Sequence, residues 1–314
     1  MGKFVFGVDV GGTTVKLGFF DAQGNVLDKW EIPTRTEDNG SKIIPDIAES
    51  ILAKMQEKGI EKSDVVGVGM GVPGPVKTDG TVIKAVNLGW DVFNPNDELS
   101  KLSGLPAKTG NDANVAALGE MWRGGGQGYQ DMVAVTLGTG VGGGVILGGR
   151  IVAGSNGAGG EIGHIHLEDN ETEACGCKGY GCLEQYASAT GIVRLAKRAL
   201  AASDKVSVLR DTDITAKSVW DAVKEGDELA VGVANQYGEY LGKGLAAVAN
   251  VVNPEIFVIG GGVSKAGNVV IDYMEPFFKK YVFHGAGNVK FALATLGNDA
   301  GIYGSAKLVL DEFV

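Results

Sequence analysis

Cysteine, histidine and basic charge are scarce in this chain, and long apolar runs are missing. Three cysteines are an odd set that cannot fully pair as disulfides. Residues 4–10 already carry a strand pattern, with no targeting segment before them. The expectation is a reduced, cytoplasmic protein. No apolar stretch approaches the ~20 residues of a membrane span. Lysine and arginine number 28 against 38 aspartates and glutamates, a net charge of −10, which argues against nucleic acid or an anionic membrane as partner. Glycine is the abundant residue, 51 of 314, more than twice the usual ~7%. It falls in clusters rather than in a low-complexity tract, which suggests repeated close approach of backbone to ligand. The length suffices for two domains with real cores.

The scarce residues are concentrated. All three cysteines and two of the three histidines lie between Gly159 and Tyr186. Thiolates and imidazole suit zinc, and Cys175, Cys177 and Cys182 with one upstream histidine make a closed tetrahedral set, hence a structural site. Glycines 176, 179 and 181 let the backbone turn so that the sulfurs converge. His164 and His166 compete for the fourth position. The alternative is a set of incidental thiols. Glu161 and Glu184 bracket the cluster. Convergent acceptors on a rigid frame would suit a polyhydroxylated ligand, but two solvated loop carboxylates would read the same way.

Periodicity gives the frame. Strands are expected over 4–10, 15–20, 26–32, 65–70, 105–109, 132–137, 141–147, 150–153 and 256–259. Helices are expected over 41–58, 115–122, 229–252 and 301–310, with Pro254 ending the third and the last packing back on the first domain. Strand, glycine turn and strand at Gly11 match strand, glycine turn and strand at Gly138. This weak internal repeat implies two similar domains. Each glycine hairpin alone reads as a plain turn. As a matched pair they suit a phosphate chain approached from two sides. Gly260, Gly261 and Gly262 follow a buried strand, where ligands of α/β sheets usually sit, although a tight strand-to-helix turn would look the same.

In order along nearly the whole chain, these motifs resemble the ROK sugar kinases, and within them the bacterial ATP-dependent glucokinases. Asp9-Val-Gly11-Gly12-Thr13-x-x-Lys16 is similar to the family's first phosphate loop. Asn111-Asp112-Ala-Asn114 is similar to its catalytic segment, and Leu137-Gly138-Thr139-Gly140-Val-Gly-Gly-Gly to its second phosphate loop. Gly160-Glu161-Ile-Gly-His164 and Cys175-Gly-Cys177-Lys-Gly-Tyr-Gly-Cys182-Leu-Glu184 resemble its sugar and zinc signatures, and Gly260-Gly261-Gly262 its adenosine turn.

The resemblance implies an α/β, actin-like ATPase (ribonuclease H-like) fold of two domains, residues 1–115 with 300–314 and residues 116–299, flanking a cleft. It implies ATP-dependent phosphorylation of glucose at O6 with Asp112 as general base. Asn111, Glu161, His164 and Glu184 would bind the other sugar hydroxyls. His164 is chosen over His166 for zinc, one ring nitrogen facing the metal and the other the sugar. Asp9 is the expected Mg²⁺ ligand, through water. Lys16 would add a charge at the phosphates, or stand as a solvated strand-end lysine. Related kinases are commonly homodimers or homotetramers. The competing expectations are a sibling kinase for fructose, mannose or N-acetylmannosamine, a sugar-responsive repressor, whose N-terminal helix-turn-helix has no room before Asp9, and a non-catalytic sugar-binding protein.

Overall fold

A computed structural model describes residues 3–314. Among these residues ten strands form two five-stranded sheets. In the first are β1 (Phe4–Val10), β2 (Thr14–Asp21), β3 (Val26–Pro33), β4 (Val65–Val72) and β5 (Ala107–Asn111), in the order β3-β2-β1-β4-β5. In the second are β6 (Met132–Leu137), β7 (Val141–Leu147), β8 (Arg150–Ile151), β9 (Ile256–Gly260) and β10 (Lys290–Leu293), in the order β10-β9-β6-β7-β8. Read outward from β1 and from β6, the two orders are the same. The pairing directions agree as well. β1 is parallel to β4 as β6 is to β9, β4 to β5 as β9 to β10, while β2–β3 and β7–β8 are antiparallel. The repeat expected from the two glycine hairpins is thus a duplication of the whole sheet topology.

The chain divides into two compact units. One holds the chain up to Gln130 with Gly144–Gly160 and Leu296–Val314, and the other Asp131–Gly143 with Glu161–Thr295. In the first unit β1 and β4 are apolar along nearly their whole length, as strands buried on both faces must be. The helix Ile43–Lys58 supplies Ile43, Ile44, Ile47, Ile51 and Met55 to one core. The C-terminal helix Ala300–Phe313 packs back on this unit as expected. Ile302, Ala306, Val309 and Leu310 join Val5, Phe20 and Val66 in a second core, and the Ser305 hydroxyl donates to the Val8 carbonyl at 2.7 Å.

In the second unit the helix Glu228–Val252 buries Val233, Tyr237, Leu241, Leu245 and Val248 along one face. It stops at Asn253, which adopts the left-handed conformation (φ 45°) before Pro254. Phe257 of β9 meets Phe278 edge-on, ring centres 6.0 Å apart. No helix among the described residues is long and apolar enough to cross a membrane.

Candidate active site

In the first unit the site is built where strands end. Asp9 is the penultimate residue of β1, opposite Lys16 on β2 and Gly71 on β4. Burial pushes its carboxyl up to about 6; the nearby Asp112 charge adds to this and Lys16 opposes it. A half-buried carboxyl raised in this way contributes fully to folding below its ordinary value of 3.8 and loses that contribution as pH rises through about 6. The variant Asp9→Asn should therefore melt higher than the parent at pH 8 and show no gain at pH 4. A melting temperature unchanged by the substitution at pH 8 would contradict this.

The glycine loop after β1 is held from outside. The Gly11 N–H donates to the Thr14 carbonyl at 3.0 Å, and Thr34 donates its hydroxyl to the Gly11 carbonyl at 2.7 Å and its N–H to the Thr13 carbonyl at 2.9 Å. Gly12 and Thr13 are exposed at the tip. Lys16 donates to the Asn298 carbonyl at 3.2 Å.

Asn111 ends β5 and caps the next helix, which starts at Asp112, three residues earlier than periodicity indicated. Its side-chain oxygen accepts from the Asn114 N–H at 3.1 Å, and its amide donates to the Gly74 carbonyl and to Asp112 Oδ1, both at 3.0 Å. Asp112 Oδ1 also accepts from the Ala113 N–H at 2.8 Å. The carboxylate is thereby fixed in orientation at the positive end of a helix.

In the second unit Gly138, Thr139 and Gly140 form the turn between β6 and β7. Gly138 donates to the Gly140 carbonyl at 3.0 Å. The Gly138 and Thr139 carbonyls accept from the Ala189 N–H at 2.8 Å and the Thr190 hydroxyl at 2.7 Å, at the start of the helix Ala189–Ala201. Glu184 lies against this turn, its Oε2 3.4 Å from the Val141 N–H. A Cβ built on Gly140 would come 2.4 Å from that same oxygen, so the glycine makes room for the carboxylate. At the other glycine turn Gly261 has φ +84°, and a Cβ there would meet the Leu137 carbonyl oxygen at 2.5 Å.

Around Glu184 the four expected metal donors converge. One ligand atom from each of His164, Cys175, Cys177 and Cys182 lies within 4.8 Å of every other. Two thiolates on one tetrahedral centre at about 2.3 Å would be roughly 3.8 Å apart. The Cys177 and Cys182 sulfurs are 3.7 Å apart, and Cys175 Sγ lies 3.8 Å from His164 Nδ1. The spacing and chemistry of the set fit a structural zinc ion. Burial, then the Glu184 carboxylate, push the Cys175 thiol up to about 12; a dication would favour the thiolate instead. His166 is outside the set, its ring nitrogens bonded to the Tyr180 carbonyl at 2.7 Å and Asp169 at 2.8 Å. His164 Nε2 faces Glu161 at 3.9 Å while its Nδ1 is 3.7 Å from Glu184. Glu161, His164 and Glu184 therefore stand in one cluster with the cysteines.

Two residues that shape the site carry little signal in sequence: Thr34, whose only mark is its place just past β3, and Glu171, one of several acidic residues over 168–173.

Duplicated sheets of identical order, a glycine turn after the first strand of each and a capped Asn-Asp pair at a helix start define a two-unit α/β protein with the actin-like ATPase fold. The chain belongs to the ROK family, which it matches over residues 5–312. It is 44% identical to a glucokinase of Halalkalibacterium halodurans across 99% of this chain and 96% of that one. Among solved structures it is similar to a ROK family glucokinase from Streptomyces griseus in complex with glucose and AMPPNP, at 34% identity and a TM-score of 0.72, covering 97% of this chain and 98% of that one. It is also similar to a ROK hexokinase from Thermus thermophilus, at 30% identity and a TM-score of 0.79, covering 98% of each chain.

Proposed function

We propose that this chain transfers the γ-phosphoryl group of ATP to the 6-hydroxyl of glucose, giving glucose 6-phosphate and ADP. The observation that carries the reading is the 44% identity to a glucokinase over 99% of the chain. Asp112 is the general base that takes the 6-hydroxyl proton as that oxygen attacks phosphorus. Its orientation by Asn111 and the Ala113 N–H supports this role. Asn111, Glu161, His164 and Glu184 hold the remaining hydroxyls, as acceptors and donors placed on fixed backbone. The loops Gly11–Gly12–Thr13 and Gly138–Thr139–Gly140 bind the phosphates through the N–H groups of Gly12, Thr13, Thr139 and Gly140, while those of Gly11 and Gly138 are spent in shaping the two turns. Gly260, Gly261 and Gly262 take the adenosine, and Lys16 adds positive charge near the first loop.

Asp9 would hold Mg²⁺ through water, and the ion would neutralise charge on the phosphates. His164 Nδ1 with Cys175, Cys177 and Cys182 would hold structural zinc, which fixes the tautomer and leaves Nε2 for the sugar. Three free cysteines support a reducing, cytoplasmic setting, and the family resemblance supports a homodimer or homotetramer.

The Glu184 contact yields a direct expectation. Gly140→Ala displaces the Glu184 carboxylate, so the KM for glucose should rise by about 10-fold or more, the scale on which displaced supporting groups act. An unaltered glucose KM would remove Glu184 from the sugar site. The substrate itself is tested with a panel of glucose, fructose, mannose and N-acetylmannosamine under MgATP. Glucose should give the highest kcat/KM; a clearly higher value for another sugar would make the chain a sibling kinase.

A further inference from the structure

Glu171 belongs to none of the motifs above, yet its carboxylate is densely bonded. Its side chain is 1% exposed. It accepts from the Tyr186 hydroxyl and the Arg194 guanidinium, from Arg198 at 3.3 Å, and from the N–H groups of Thr172 and Glu173 at 2.9 Å each. Burial alone would raise its pKa; the donors outweigh burial and hold the carboxyl at about 2. It is an anion at every working pH, and two guanidinium groups compensate it.

Its partners all lead to one place. Tyr186 sits two residues after Glu184 on the same short helix, Glu184–Ala187. Arg194 also donates to the Gln185 carbonyl at 3.1 Å, and Gln185 in turn bonds the Cys182 N–H at 3.1 Å and the Glu173 carbonyl at 2.9 Å. The Tyr186 ring stacks on Tyr240, centres 4.0 Å apart, and the Tyr240 hydroxyl donates to Glu168 at 3.1 Å. Residues 168–173, the short helix and the helix Ala189–Ala201 are thus joined in one knot centred on Glu171. The knot uses no side chain of the four metal donors.

We propose that Glu171 is a positioning residue for sugar binding. It fixes the short helix on which Glu184 stands and so aims the Glu184 carboxylate, without touching sugar or metal. The proposal rests on the sugar-binding role given to Glu184. Binding groups must be held to within about half an ångström to function; the contact at Val141 is too long to do this alone, and the 2.8 Å hydrogen bond from the Cys175 thiol would be lost once that sulfur binds metal as a thiolate.

The test compares Glu171→Gln and Tyr186→Phe with the parent in the full chain. Glutamine keeps the shape but presents its own donor to at least one of the surrounding donors. Tyr186→Phe keeps the stacked ring and removes one donor, so it carries the test by itself if Glu171→Gln fails to fold. Steady-state kinetics with glucose and ATP are measured with metal content per chain. The expected result for Glu171→Gln is a glucose KM raised about 10- to 100-fold, as for loss of a supporting partner. The KM for ATP and the metal content should match the parent. Tyr186→Phe should show a smaller rise in the same direction. Unchanged glucose KM in the folded variants would overturn the proposal, and so would a parallel loss of glucose binding, ATP binding and metal. An unmodified chain inactive on glucose would instead overturn the functional reading, and the positioning role with it.

Discussion

Asp112→Asn is expected to lower kcat by ~10²–10⁴-fold, the usual worth of a general base. The substitution is close to isosteric. Oδ1 of Asp112 accepts from Asn111 Nδ2 at 3.0 Å and from the Ala113 N–H at 2.8 Å. An asparagine oxygen in that place can keep both bonds, so the helix start and the side-chain orientation survive. The amide cannot accept a proton, yet it can still bond a sugar hydroxyl. The KM for glucose should therefore move much less than kcat. Steady-state kinetics with saturating MgATP check this; near-native kcat would remove Asp112 from the base role.

Cys177→Ala should have the next largest effect. It takes away one of four donors whose spacing fits a tetrahedral ion, and a three-donor remnant would lose most of its zinc. His164 Nδ1 and Glu184 both face Cys175, at 3.8 Å and 2.8 Å. Loss of the metal thus reaches two proposed sugar ligands directly, and glucose affinity and activity should fall together. ATP binding should persist, because the glycine turns at 11–13, 138–140 and 260–262 contribute no metal donor. A few kcal/mol of lost metal linkage would lower Tm by roughly 3–6 °C in a chain of this size. Metal analysis with calorimetric titration by glucose and by a non-hydrolysable ATP analogue measures all three effects. A metal-free variant that binds glucose normally would show that the ion does not organise the sugar site. Residues 168–173 should keep their place in the variant, because the bonds of Glu171 hold them without the metal.

Much of the fold is legible because its signals are local. β1 at Phe4–Val10 and β6 at Met132–Leu137 are apolar runs ended by glycine turns, and they lie where periodicity puts them. The Gly11 and Gly138 hairpins disclose the duplication because each turn repeats within its own few residues. Capping hides the start of the helix at Asp112: Asn111 is a strand residue whose side chain bonds forward to Asn114, and the apolar stripe begins only at Val115. No element is expected from sequence over residues 189–224 or 268–293, where the helices Ala189–Ala201, Ala216–Lys224 and Val269–Tyr281 form. Pro276 inside the last of these argues against a helix locally, and burial of Val270, Met274 and Phe278 overrides it.

The site divides in the same way. The cysteine spacing with His164 is a pattern in sequence, and the four donors do converge. The place of Glu184 against Gly140 is not such a pattern, because it depends on where the turn at 138–140 meets the distant short helix Glu184–Ala187. Glu171 is still less visible: a buried anion with two arginines more than twenty residues on looks in sequence like any solvated acidic loop.

One measurement tests the central claim most directly. The purified chain is incubated with glucose, ATP and Mg²⁺, and the products are followed by phosphorus and proton NMR. The expected result is one ADP per sugar phosphate formed, with the phosphate correlated to the two protons on carbon 6 of glucose. ATP hydrolysis without a sugar phosphate, or a phosphate attached at any other carbon, would contradict the assignment of this chain as a glucose 6-kinase.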